Sequence, residues 1–276
     1  MIEKLSVVAA DIDGTLCTKG GTMMPKTRKA IQRLHEQGVL FGPASGRPLD
    51  QRILDKAKEW ELGFEFDFAI GMNGAELYDK ETGQFEKFYM LKKEDVKAIL
   101  EPVAHLDLNA IVYVNGYSEI AALRLDDFLK DSIKRNHSHV EIGDIDFLSR
   151  YDTGKIEFHL KPSIKDEFLK IALEHQTERW SIVSTFENEI HSTLEFLDPH
   201  INKGLALHKY SEKHSIPLSE FMAFGDMEND IGLLREAGWG VCLKNGADDT
   251  KAVAQAVTEY TVEEDGVGNY LEMHWF

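Results

Sequence analysis

The chain has little of what marks the specialised protein classes. Two cysteines, Cys17 and Cys242, occur in 276 residues, too few for a disulfide scaffold, and free thiols in a reducing compartment are expected. No apolar run approaches the length of about 20 residues that spans a bilayer, and there is neither an internal repeat nor a low-complexity stretch. The apolar run near the start is six residues long and stops at Asp11, so no secretory signal peptide is expected and the location predicted is cytoplasmic. Positive charge is scarce: 31 Lys and Arg stand against 48 Asp and Glu, a net charge of −17. That balance argues against nucleic acid or an anionic membrane as partner. A small anionic substrate would need local Lys, Arg or metal. Apolar and charged fractions of 43% and 29% are those of a soluble globular protein. The length suits one large or two modest domains, as a monomer or homodimer.

What is present begins with an abrupt transition. The run Leu5-Ser6-Val7-Val8-Ala9-Ala10 predicts a strand buried on both faces. It ends in Asp11-Ile12-Asp13-Gly14-Thr15-Leu16. Alternation along a strand puts Asp11 and Asp13 on one side as far as extended geometry persists. Gly14 permits a sharp change of direction, and Thr15 can bond locally to the turn. Two like charges at a strand end repel unless something positive sits between them. A bare Asp-x-Asp also reads as a solvated acidic loop. Gly-Thr-Leu directly after a buried strand points instead to a metal-assisted site.

Pro25 opens a helical pattern with Ala30, Ile31 and Leu34 on one face and Gly38 as its stop. A strand over residues 39–44, a helix with Ile53, Leu54 and Ala57 inward, and a strand over 66–70 follow. Such alternation signals a parallel sheet with helices on its faces, where ligands gather at the carboxyl ends of the strands. Ser45-Gly46-Arg47 falls at such an end. Ser-Gly is a common turn, but before a helix its hydroxyl and backbone N–H groups suit a phosphate. Arg47 can reach that phosphate or pair with an acidic neighbour. Asn73-Gly74 reads as a hairpin turn, and residues 75–78 followed by 85–89 fit a hairpin.

Beyond about residue 80 the rhythm changes. Strand-like stretches at 110–115, 155–161 and 180–186 are separated by amphipathic helices at 92–105, with Pro102 as a kink point, at 123–133 and at 163–175. Ile156, Phe158 and Leu160 alternate cleanly, which predicts an antiparallel sheet with one solvated face. The segment reads as an α+β insert over 81–187, between core segments 1–80 and 188–276. Tyr113, Arg124, His137, His139 and His159 are its polar candidates. His137 and His139 fall in a polar loop without carboxylate or Cys spacing to support a metal.

The core pattern resumes with a strand at 191–197 and Asn202-Lys203-Gly204 at a helix start. Lys is unfavourable there for the helix dipole, and its ammonium could neutralise a nucleophile and phosphoryl oxygens during transfer. A short strand at 221–224 leads into Gly225-Asp226-Met227-Glu228-Asn229-Asp230. An N-cap accounts for one of these acids but not easily for two.

Taken together, Asp11-x-Asp13-Gly14-Thr15-Leu16, Ser45-Gly46-Arg47, Lys203-Gly204 and Gly225-Asp226-x-x-Asn229-Asp230 resemble, in order, the four motifs of the haloacid dehalogenase-like (HAD) phosphohydrolases, most closely the Cof-type members. Their usual Met after the last motif is Leu233 here, a packing change. The resemblance covers the whole chain. It implies an α/β, Rossmann-like parallel-sheet core with an inserted C2-type α+β cap that sets specificity. It implies a Mg²⁺-dependent phosphatase of small phosphorylated metabolites (sugar phosphates, nucleotides, flavin mononucleotide or pyridoxal phosphate) acting through an aspartyl-phosphate. Asp11 is then the nucleophile, Asp13 the proton donor and acceptor, and Lys203 the charge stabiliser. Asp11, the Asp13 carbonyl and Asp226 are the expected metal ligands, with Asp230 beside them or bound through water. Ser45, Gly46, Arg47, Asn73 and Asn229 are expected to bind substrate. Phosphomutase chemistry, a phospho-acceptor signalling switch and a metabolite-binding protein are the alternatives. An insert after the second motif disfavours the mutase, and the length disfavours the switch.

Overall fold

The computed structural model describes residues 2–18 and 21–276. The chain divides into two compact units, Met1–Glu86 with Asn202–Phe276, and Lys87–Ile201.

In the first unit, strand β1 (Val7–Asp11), helix α1 (Pro25–Glu36), β2 (Leu40–Ala44), α2 (Gln51–Glu59) and β3 (Phe68–Gly71) alternate as the apolar runs predict, and β4 (Glu76–Asp79) and β5 (Gln84–Lys87) follow. The inserted unit contains α3 (Lys93–Leu100), β6 (Leu108–Asn115), β7 (Glu119–Ala122), α4 (Asp127–Asn136), β8 (His139–Ile142), α5 (Ile145–Leu148), β9 (Ile156–Leu160), α6 (Lys165–Glu174), β10 (Ser181–Glu187) and β11 (Ser192–Leu197). The first unit then resumes with α7 (Lys203–His214), β12 (Phe221–Gly225), α8 (Ile231–Glu236), β13 (Trp239–Cys242), α9 (Asp248–Val253), β14 (Ala256–Val257) and α10 (Gly266–His274).

The first unit is α/β. Its eight strands run in the order β14-β13-β12-β1-β2-β3-β4-β5. They are parallel from β14 to β3, and β4 turns back antiparallel on β3. β1 is central and wholly buried. Val8, Phe41, Met222 and Phe224 face a core shared with Ala30, Ile31, Ile53 and Leu271. Phe68 instead packs its ring on Tyr210 of α7. Helices therefore cover both faces, as a parallel sheet requires. The β1–β2 register sets Asp11 opposite Ala44, and β12 lies on the other side of β1, so three strand ends meet. α1 has no side-chain cap at its own N-cap residue. The N–H groups of Lys26 and Thr27 donate to the Asp265 carboxylate, each at 2.7 Å, and the Thr27 hydroxyl does the same. The last helix's loop thus ties down the first helix.

The second unit is α+β, with six strands ordered β10-β11-β9-β6-β7-β8, antiparallel except for the parallel β7–β8 pair. Val112, Ile156, Phe158 and Phe196 build its apolar core with Val96, Leu148 and Phe168 of the helices. α3 stops at Leu100, and Pro102 sits in the 3₁₀ turn Glu101–Val103 that follows. Three expectations are corrected here. The strand at 192–197 pairs with β9 and β10, so it belongs to the insert, which runs past 187. His139 lies not in a loop but on strand β8, paired with β7. The face of β9 opposite Ile156, Phe158 and Leu160 is not solvated: Lys155, Glu157 and His159 are buried.

Candidate active site

Three carboxylates converge where β1 and β12 end. Asp11 closes β1, Asp226 directly follows β12, and Asp230 precedes α8. One oxygen of each lies within 4.8 Å of the others, and all three residues are buried. Lys203, the first residue of α7 and fully buried, points its ammonium into this cluster, 2.5 Å from Asp11 Oδ1 and 2.6 Å from Asp230 Oδ1. The helix dipole disfavours a cation at that end, and the two carboxylates more than compensate.

Burial pushes the Asp11 carboxyl up to about 8, against the opposing Lys203 ammonium. Burial likewise pushes Asp226 up to about 6, against the hydrogen bond from Thr15. On Lys203 burial favours the neutral amine, but Asp11 and Asp230 outweigh it and hold the ammonium charged. Carboxyl groups this crowded ionise readily only beside added positive charge. Buried, hard oxygen donors at this separation fit a divalent cation of the Mg²⁺ or Ca²⁺ kind.

The supporting bonds show why these acids face one another. Asp230 Oδ2 accepts the backbone N–H groups of Asp226 (2.9 Å) and Met227 (3.1 Å) while Oδ1 accepts Lys203. Asp230 is thus largely saturated, and it fixes both the Asp226 loop and the ammonium. Thr15 Oγ1 donates to Asp226 Oδ1 at 2.9 Å. Gly14 has φ +94°, and a Cβ there would collide with Asp226 Oδ2. Only glycine allows the first acidic loop to turn this closely against the second.

Asp13 stands apart. Its exposed carboxylate accepts two bonds from Arg47, from Nε at 3.0 Å and Nη2 at 2.7 Å. Arg47 thus pairs with an acidic neighbour, which is one of its two sequence readings and does not exclude the other. Ser45 is buried, and its hydroxyl accepts the N–H of Arg47 at 3.2 Å. The segment after β3 rests on this loop: Met72 N–H donates to Arg47 O and Asn73 N–H to Ser45 O. A Cβ on Gly46 would touch Asn73 Oδ1, and that same oxygen accepts Asn229 Nδ2 at 3.0 Å. The 3₁₀ turn Met72–Gly74 has positive φ at Met72, Asn73 and Gly74, and a Cβ on Gly74 would strike the carbonyl of Asn202, beside Lys203. Asn73-Gly74 is thus both the lead into β4 and a bridge among three predicted motifs.

Residues 8–271 match the haloacid dehalogenase-like hydrolase family. The chain belongs to that family. Among its relatives is the 5-amino-6-(5-phospho-D-ribitylamino)uracil phosphatase YitU of Bacillus subtilis, 26% identical over 282 residues, covering 100% of this chain and 99% of that one. The HMP-PP phosphatase of Serratia proteamaculans is 26% identical over 98% of this chain and 94% of its own length. A haloacid dehalogenase-like hydrolase from Bacteroides thetaiotaomicron superposes with a TM-score of 0.80 at 25% identity, covering 98% and 99% of the two chains. The protein is accordingly an enzyme of the HAD phosphatase class, and family and acidic cluster together imply a divalent metal.

Two supporting residues have partners that the sequence does not reveal. Thr15 was expected to bond within its own turn, yet it reaches Asp226. Asn245 Nδ2 donates to Gly14 O while its Oδ1 accepts Val262 N–H, both at 2.9 Å. In the sequence Asn245-Gly246 marks a turn, and a turn does not reveal its partner. Among the described residues no helix is long and apolar enough to cross a membrane.

Proposed function

We propose that this HAD enzyme is a Mg²⁺-dependent phosphatase of small phosphorylated metabolites, such as sugar phosphates, nucleotides, flavin mononucleotide or pyridoxal phosphate, working through an aspartyl-phosphate on Asp11. The observation that carries the reading is the buried Lys203 ammonium between Asp11 and Asp230, with Asp226 alongside. Bound Mg²⁺, held by Asp11, Asp226 and the Asp13 carbonyl with Asp230 beside them, would supply positive charge between nucleophile and phosphoryl oxygens. An Asp11 oxygen attacks phosphorus as the ester P–O bond breaks, and Asp13 gives its proton to the departing oxygen. Water then attacks the same phosphorus, returning a proton to Asp13, and the P–O bond to Asp11 breaks. Lys203 and the Ser45-Gly46 turn hold the transferring group. Arg47, Asn73 and Asn229 contact substrate. The inserted unit selects the leaving group.

Phosphate release from a panel of phosphorylated metabolites, with Mg²⁺ and with EDTA, tests this. Release is expected with Mg²⁺ and a fall of at least about 10²-fold in EDTA. Equal release in EDTA would remove the metal from the account, and no release from any ester would remove the phosphatase.

A further inference from the structure

The backbone of the first acidic loop is freest at Gly14, one residue beyond Asp13. Its φ of +94° and its closeness to Asp226 demand glycine, the residue whose backbone rotates with least restraint. The loop is anchored on either side, since Lys203 holds Asp11 and the Thr15 hydroxyl donates to Asp226. Asp13 lies between, its exposed carboxylate bonded to a partly exposed Arg47. Asn245 steadies this stretch. Its Nδ2 donates to the Gly14 carbonyl and its Oδ1 accepts the Val262 N–H, each at 2.9 Å. One partner can only accept and the other can only donate. A neutral amide therefore satisfies both, whereas a carboxylate would set an oxygen against the Gly14 carbonyl. Asn245 is itself a fixed post, because its turn is tied down. Lys244 N–H donates to Thr258 Oγ1 at 2.9 Å and Ala247 N–H to Asp226 O at 2.8 Å. A Cβ on Gly246 would press on the same Asp226 carbonyl. One turn thus grips both acidic loops, by backbone at Asp226 and by an exposed side chain at Gly14. Water competes for exposed amide bonds, so their net contribution to stability is small. What the amide contributes is position.

We infer, on the phosphatase reading above, that Asn245 is a positioning residue for Asp13 and holds it for its two proton transfers. Asp11 is set by its strand and by Lys203, so its attack on phosphorus does not depend on the Gly14 tether. The transfers do. As the ester P–O bond breaks, Asp13 gives its proton to the departing oxygen. As a water oxygen then bonds phosphorus and the bond to Asp11 breaks, the proton of that water goes to Asp13. A displacement of about 1 Å at such a step costs about 10²-fold in rate.

The test uses Asn245→Asp, which keeps the side chain's shape and the Val262 bond and loses the bond to Gly14, with Mg²⁺ saturating for each variant. p-Nitrophenyl phosphate expels a stable phenolate and needs no proton at its leaving oxygen, whereas glycerol phosphate expels an alkoxide and does. In a single turnover, phosphorylation by p-nitrophenyl phosphate should stay within about threefold of the parent, while decay of the resulting phosphoenzyme slows by about 10- to 10²-fold. The variant should therefore give a larger burst of p-nitrophenol than the parent, and its kcat/KM for glycerol phosphate should fall by a similar factor. Asn245→Ala, at an exposed position, should behave alike and serves as the measurement should the added carboxylate disturb folding. Asp265→Ala loosens the same end of the chain without touching Gly14 and should not separate phosphorylation from decay. Equal slowing of phosphorylation and decay in both Asn245 variants, no slowing of either, or the same selective slowing in Asp265→Ala would overturn the inference while the phosphatase reading stands. No release from any ester by the parent would overturn that reading, and the inference with it.

Discussion

At the scale of residues, the site is a problem in charge. Three buried carboxylates share one buried ammonium, and Asp230 also takes two backbone N–H groups. Lys203 therefore serves two purposes that a single substitution separates. Lys203→Met should reduce kcat by about 10²–10³-fold, as loss of an aimed donor does. It should also destabilise the metal-free fold by about 3–5 kcal/mol, because two carboxylates lose their partner. Denaturation with and without Mg²⁺ checks this: added Mg²⁺ should stabilise the variant more than the parent. Equal stabilisation would mean that the cation does not answer the same charges. The sequence made the chemistry-bearing residues legible because each falls at a strand end or helix start where its type is otherwise awkward. It did not disclose Thr15 meeting Asp226 or Asp13 meeting Arg47. Those pairs join strand ends brought together by sheet order, and no local pattern encodes a partner so far along the chain.

At the scale of elements, the first unit read well because β1, β2 and β12 are short apolar runs bounded by Gly and acids. β7 and β8 did not. Glu119–Ala122 and His139–Ile142 are four residues each, too short for alternation to emerge. β11 carries the same apolar alternation as a core strand, so only its pairing assigns it to the insert. Alternation along β9 predicts a solvated polar side that the fold buries, because alternation reports that two faces differ, not that the polar one is wet. The tie between the last loop and α1 is likewise invisible in sequence, and it gives a clean stability prediction. Asp265→Ala leaves the N–H groups of Lys26 and Thr27 without their acceptor and should lower unfolding free energy by about 1–2 kcal/mol, the usual worth of a helix cap. Urea unfolding should show a lower midpoint at unchanged slope. A change below about 0.5 kcal/mol would mean that water replaces the cap.

At the scale of the whole molecule, stability should depend on pH through the inserted unit's charged face. Burial would raise Asp126 and Glu157, yet the hydrogen bonds led by His159 outweigh it and hold each near 2. Burial would lower His159, and its bonds to Asp126 and Glu157 hold it instead above the ordinary 6.5. Depressed carboxylates contribute stability above their ordinary values near 4, lost as pH falls towards 2. A raised histidine contributes fully below 6.5, and that contribution is lost as pH rises through its folded value. The network therefore stabilises most between about pH 4.5 and 6.5. The melting temperature difference between the parent and His159→Gln should be largest in that window and shrink on either side. A difference that stays constant from pH 5 to 9 would show that His159 does not carry charge in the fold.

The covalent bond between Asp11 and the phosphoryl group can be looked for directly. The protein is mixed with a radiolabelled phosphoester and Mg²⁺, quenched in acid within a turnover, digested and sequenced. A hydroxylamine-labile label is expected on the peptide containing Asp11, absent in Asp11→Asn and longer-lived in Asp13→Asn. Release of labelled phosphate with no labelled peptide at any quench time, or a label on another residue, would contradict an aspartyl-phosphate on Asp11.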